Sequence, residues 1–163
     1  MRHLQSRRGG AVCLAVAASL LVGAPGASAR PSVNGPSATA AKRVPVLGSK
    51  SFAGPPGVGW GTYAPREIFN GGDPSGMVTA ITWTGWGSPT AIGYGKSFIF
   101  KPAGGYYPGA VKVELRASVL GHCTAAGPRA YEHLAVREPS RPGGPLGKWS
   151  WWSGAKTLCH FGF

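Results

Sequence analysis

The chain has 163 residues, enough for one ordinary domain rather than two. Its 17 Lys and Arg against five Asp and Glu give a net charge of +12, which favours anionic partners over acidic-surface avoidance and disfavours a cationic one. No helix-turn-helix, zinc-finger or ribonucleoprotein motif accompanies that charge, so specific nucleic-acid recognition is not expected.

The first 29 residues read as a secretory signal peptide. Arg2, Arg7 and Arg8 precede a twelve-residue apolar stretch from Ala11 to Val22, and Pro25 and Gly26 break it. Ala27-Ser28-Ala29 supplies the small-x-small pattern, which places cleavage after Ala29. The stretch is too short to span a bilayer, which takes roughly twenty apolar residues. Ser6-Arg7-Arg8 begins like a twin-arginine signal, but Gly9 and Gly10 follow where that motif needs a bulky apolar residue, so general secretion is the better reading. Removal of the signal leaves 14 basic against five acidic side chains and no transmembrane segment.

Residues 30–58 are rich in Pro, Ser, Ala and Gly and show no sustained periodicity. With so few large apolar groups to offset the cost of ordering, they read as a flexible tail. A β-domain is expected over residues 59–163. Its clearest strand is Val111 to Val119, where Val111, Val113, Leu115, Ala117 and Val119 fall on one face and Lys112, Glu114, Arg116 and Ser118 on the other. That alternation predicts a half-buried antiparallel strand with a solvated charge ladder outside. Further strands are expected at Met77–Trp83, Lys96–Phe100, Tyr131–Arg137 and near Trp149–Trp152, with a weaker signal at Tyr63–Phe69. Turns are expected at residues 71–76, 102–105 and 141–145. No helical apolar stripe is present, so the fold class is all-β: a small antiparallel sandwich or barrel of about five to seven strands.

The stretch WTGWGSPTAIGYG, residues 83–95, carries the main ambiguity. Trp83 and Trp86 would face opposite ways in a regular strand, and Gly85 is where a bulge would reset the phase. Ala91, Gly93 and Gly95 then share one face, leaving a trough that an indole can cover. The tryptophans either fill that trough or offer a surface to a ligand, since aromatic rings serve cores and interfaces alike. The pattern of Trp83, Trp86, Gly87, Ala91, Gly93 and Gly95 resembles one found in small exported actinobacterial proteins of unassigned function. The resemblance spans about residues 77–137 and implies export and β-architecture, with no activity attached. Those proteins carry extra cysteines after the glycine stripe, where this chain has Pro102-Ala103-Gly104-Gly105.

After cleavage only Cys123 and Cys159 remain, and an even count in an oxidising compartment reads as one disulfide. His122 and His160 flank them, but adjacent residues of an extended chain point to opposite faces and cannot both meet one ion. No metal and no cofactor is expected.

The conventional catalytic sets are scattered. Glu67, Asp73, Glu114, Glu132 and Glu138 form no evident pair, and no Gly-x-Ser-x-Gly elbow is present. A non-catalytic binding role is expected instead, with a small hydrolase as the weaker reading. Trp149, Trp151 and Trp152 follow a Pro/Gly loop, and Tyr106-Tyr107 lies in another. With Lys148 and Arg141 nearby, these rings suit a sugar ring or an anionic glycan, the partner expected being cell-wall or other anionic polymer. The opposing reading is that the rings close the ends of the fold and bury themselves. A third class is a protein-interaction or inhibitor domain presenting the loop RPSRPGGPLG, with Arg141 projecting from it. The expected product is a monomer, secreted or wall-associated.

Overall fold

A computed structural model describes residues 44–160. The expected signal peptide and the first part of the expected tail lie outside the described residues. The described residues form seven strands: β1 (Val46–Leu47), β2 (Ile68–Phe69), β3 (Met77–Thr84), β4 (Thr90–Ser97), β5 (Val111–His122), β6 (Arg129–Arg137) and β7 (Ser150–Trp151), with single turns of 3-10 helix at Pro74–Gly76 and Trp152–Gly154. The fold is all-β with one disulfide, and the strands make one curled sheet in the order β1-β6-β5-β4-β3-β2. Strands β3 to β6 are an antiparallel meander, as alternation and short turns dictate. The sheet as a whole is mixed, because β1 pairs parallel with β6 while β7 pairs antiparallel with it further along. Together β1 and β7 cover an edge of β6 that would otherwise stay open.

The alternation of β5 holds over Val113, Leu115 and Ala117, all buried. It fails at Val119. That residue has φ +58°, drops out of the ladder between the Ser118–His133 and Leu120–Tyr131 pairs, and is 49% exposed. Leu120 packs on the core in its place. A β-branched residue in the left-handed region is unfavourable, and here it lets both β5 and β6 change faces at the same level. A second irregularity lies in β3, where the register shifts between Thr79 and Thr82 and Ala80 has φ +52°. This bulge, rather than one at Gly85, keeps Val78 and Ile81 both in the core. Gly85 instead opens the tight β3–β4 turn, closed by Ser88 N–H donating to the Gly85 carbonyl at 3.0 Å.

The glycine trough is filled from within. A Cβ placed on Gly93 would sit 2.9 Å from the Trp83 ring, and one on Gly95 would sit 2.5 Å from Val78. Trp86 occupies the turn rather than the strand, so its ring meets Trp83 at 4.8 Å and Tyr131 at 4.9 Å. Tyr131 is fully buried, and its hydroxyl donates to the Ser88 carbonyl and accepts from Gly87 N–H. Burial raises the phenol above its ordinary value.

The expected tail needs correction from residue 44 onward. Leu47, Phe52 and Ala53 are core residues, and Leu47 and Gly48 N–H bond to the Thr62 and Tyr131 carbonyls. Trp86 Nε1 donates to the Pro45 carbonyl, and Trp83 Nε1 donates to that of Pro65. The segment is therefore ordered by burial of its own apolar side chains and by backbone bonds to distant residues, Trp86 among them, not by any periodicity of its own.

Candidate functional site

Cross-strand register decides what the outer face of the sheet presents. Tyr94 of β4 lies opposite Glu114 of β5, which lies opposite Arg137 of β6; one residue pair along, Ile92, Arg116 and Ala135 line up in the same way. Lys96 and Lys112 are direct cross-strand partners. Both lysines are exposed, and Tyr94 between them and the turn is 53% exposed. The stretch Pro139–Leu146 folds back over this face. It is held by bonds between the backbones of Gly144 and Arg141 and of Gly147 and Glu138, and by a bridge pairing Pro139 with Leu146. Between that loop and the strands lies a groove of ≈ 940 Å³, floored by Tyr94, Lys96, Lys112 and Glu114 and walled by Pro142, Gly143 and Leu146.

Beside the groove two guanidinium groups lie against the Trp149 ring, Arg116 at 4.7 Å and Arg137 at 4.9 Å from its centroid. Arg137 also donates through Nε and Nη2 to Glu114, at 2.9 and 2.5 Å. Glu114, expected in a solvated ladder, is a buried ion-pair partner. Arg137 offsets the burial of that carboxylate, its Nε and Nη2 both donating to Glu114 Oε2.

The seven ligand-contact candidates separate. Trp152 is 3% exposed and donates Nε1–H to Asn70 Oδ1, so it belongs to the core. Its neighbour Trp151 stays 46% exposed, with its ring edge-on to His133 at 5.3 Å. Tyr106 stacks on Phe100 at 4.5 Å, and with Tyr107 it lines an apolar slot near Phe69, Met77 and Phe98. Arg141 and Lys148 are exposed, Arg141 at the turn of the groove loop. Arg141 lies in the loop that walls the groove and Lys148 and Trp149 follow it in the chain, Trp151 borders a second concavity, and Tyr106 and Tyr107 lie in a different loop. Tyr94, Lys96 and Lys112, which line the groove, are not among the residues the sequence singled out. Their faces follow from alternation, but only the β4–β5 register sets the two lysines side by side.

A second concavity of ≈ 420 Å³ lies at the end of the sheet, bordered by the Asn70–Gly76 loop, Phe100, Glu138 and the Ser150–Ser153 stretch. Burial there raises the Glu138 carboxyl, although the residue as a whole keeps contact with solvent. The folded protein therefore binds this proton more tightly than the unfolded chain does. Stability contributed by this group is fullest below the ordinary carboxylate value and is lost as pH rises through the raised one. Glu138→Gln is expected to melt higher than the parent protein at neutral pH, with the difference vanishing below about pH 4. Thermal melts of both proteins across that range check it.

Cys123 and Cys159 are joined, with Cα atoms 4.7 Å apart. His122 Nδ1 lies 3.1 Å from the Gly127 carbonyl. Among the described residues no cluster of three or more His, Cys, Asp or Glu is placed to hold a metal ion, and no helix is long and apolar enough to cross a membrane. In comparisons with known proteins, no family model matches the chain and neither a curated protein nor a solved structure is significantly similar to it.

Proposed function

We propose that this is an exported, non-catalytic binding protein of the cell envelope or extracellular space. It holds a stretch of anionic polymer, such as a phosphorylated wall glycan, in the groove on the outer face of its sheet. The observation that carries this reading is the Lys96–Lys112 pair. Like charges directly opposite on a sheet are unfavourable to the fold, and these two are set beside an exposed tyrosine on the floor of a groove. A polyanion relieves that repulsion, Tyr94 supplies a flat face for a sugar, and Arg141 and Lys148 add to the field at the rim. The rigid Trp149–Arg116–Arg137 cluster keeps that side of the groove ordered before binding, which lowers the cost of association. Export rests on the leader pattern of residues 1–29 and on the disulfide, a bond of oxidising compartments.

The test is co-sedimentation of residues 30–163 with insoluble cell-wall material at low and high salt. Lys96→Gln combined with Lys112→Gln is expected to weaken low-salt binding roughly tenfold, with little change in melting temperature. Trp149→Ala and Trp151→Ala in the same assay report on the aromatic contribution. Binding that ignores the lysine pair but falls with salt reduces the interaction to diffuse charge and rejects the groove.

A further inference from the structure

The concavity at the end of the sheet differs in chemistry from the basic groove. Two of the chain's five acidic side chains, Asp73 and Glu138, border it, in a protein whose net charge is +12. Neither is ion-paired among the described residues, where Glu114 takes Arg137. The rest of the lining alternates polar groups with aromatic surface. Ser75 and Ser150 contribute hydroxyls, while Phe100 and Trp151, both largely exposed, supply apolar walls. The back of the cleft is already fixed. Trp152 Nε1 donates to Asn70 Oδ1 at 3.0 Å, Asn70 Nδ2 donates to Ser153 Oγ at 2.5 Å, and Ser75 Oγ lies 3.4 Å from the Tyr106 hydroxyl. These bonds tie the Asn70–Gly76 loop to the Ser150–Ser153 stretch and to the Tyr106 loop, so the walls are set before anything binds.

We propose that this cleft is a separate binding site for a sugar bearing a free ammonium group. Its ≈ 420 Å³ falls within the usual range for small-molecule sites, about 300–1,000 Å³, and suits a mono- or disaccharide. A pyranose has an apolar face, which the rings of Phe100 and Trp151 meet, and a rim of hydroxyls, which the serines and Asn70 meet. The ammonium group answers the two carboxylates. Burial already works against the charge of Glu138, and a cation alongside restores it. A neutral or anionic sugar gains none of this and leaves a carboxylate facing its own oxygen atoms. The site lies apart from Lys96 and Lys112, so it neither requires the anionic-polymer groove nor repeats it.

The experiment uses residues 30–163 uniformly labelled with nitrogen-15, titrated with glucosamine, N-acetylglucosamine and glucose and followed by amide and indole shifts. Glucosamine is expected to move the signals of Trp151, Ser153 and the Asn70–Gly76 loop, with N-acetylglucosamine and glucose at least about tenfold weaker. Glu138→Gln and Asp73→Asn are near-isosteric and should each weaken glucosamine binding several-fold, while Lys96→Gln with Lys112→Gln should leave it unchanged. Melting temperatures establish that each variant is folded. Equal binding of the acetylated and free amines overturns the proposal, because the carboxylates then do not select. Shifts confined to the outer face, or no shifts at all, overturn it as well. Loss of wall binding in the groove variant with glucosamine binding intact would separate the two sites; wall binding and glucosamine binding both intact in that variant would reject the groove and keep the cleft.

Discussion

Replacing both Cys123 and Cys159 with serine is expected to lower the stability of the domain by roughly 4 kcal/mol. The two residues are 36 apart in sequence, so their bond removes a long loop from the freedom of the unfolded chain. The folded state has its own reason to need the bond. Trp152, Ala155 and Leu158 are buried core residues on a terminal segment with little regular structure. Beyond Trp152 and its bonds to the Asn70 loop, that segment is held by the two-residue β7 and by single backbone bonds, Leu158 N–H to the Glu132 carbonyl and Ser49 N–H to the Leu158 carbonyl. A loss of this size is a large fraction of the 5–15 kcal/mol typical of a whole domain. Urea unfolding of the double variant, and of the parent protein with and without reductant, measures it. The reduced parent and the variant should coincide. A shift below about 1 kcal/mol would mean that the terminal segment docks by its packing alone and that the unfolded chain is already restricted.

Trp86→Ala is expected to cost about 3–5 kcal/mol, the range for removing a large packed aromatic. The ring has edge contacts with Trp83, Tyr131 and Tyr63, the last at 5.9 Å, so its loss strips packing from the buried Tyr131 and the half-buried Trp83 and admits water beside them. The indole N–H also holds the Pro45 carbonyl at 2.9 Å, which ties the start of the described chain to the β3–β4 turn. Trp86→Phe separates the two effects. It keeps most of the ring surface but cannot donate the bond, and about 1 kcal/mol of loss is expected. Hydrogen exchange of the amides of Leu47 and Gly48 is expected to accelerate in Trp86→Ala more than exchange at the centre of β5. Uniform acceleration would mean that residues 44–53 and the meander unfold as one unit.

These two sites mark the boundary between what was legible in the chain and what was not. The disulfide was readable because only two cysteines follow the leader pattern. The strand at Val111 was readable because period-two alternation records burial residue by residue, and that at Met77 from its β-branched and aromatic residues. Val119 and Ala80 were not, since a left-handed φ at a β-branched or alanine residue is imposed by packing across the sheet and carries no local signal. The role of Trp86 was half readable. Its spacing from Trp83 announces a break in the strand, yet its neighbours come from positions 41 and 45 residues away in either direction.

The candidate sites divide in the same way. The sequence marked the Trp149–Trp152 cluster and the Arg141 loop as places where rings and charges gather. It had no means of separating Trp151 from Trp152, which follow one another in the chain and end 46% and 3% exposed. By itself the sequence determined the all-β class, the staple, the outward lysines and the inward valines and leucines, because each is recorded in short-range pattern or in a count. Only the tertiary structure decided that residues 44–53 belong to the domain, that Lys96 meets Lys112, and that Asp73 and Glu138 border one cleft. Those facts depend on register and on contacts between distant segments, and the free energy of such contacts resides in pairs of residues rather than in either stretch alone.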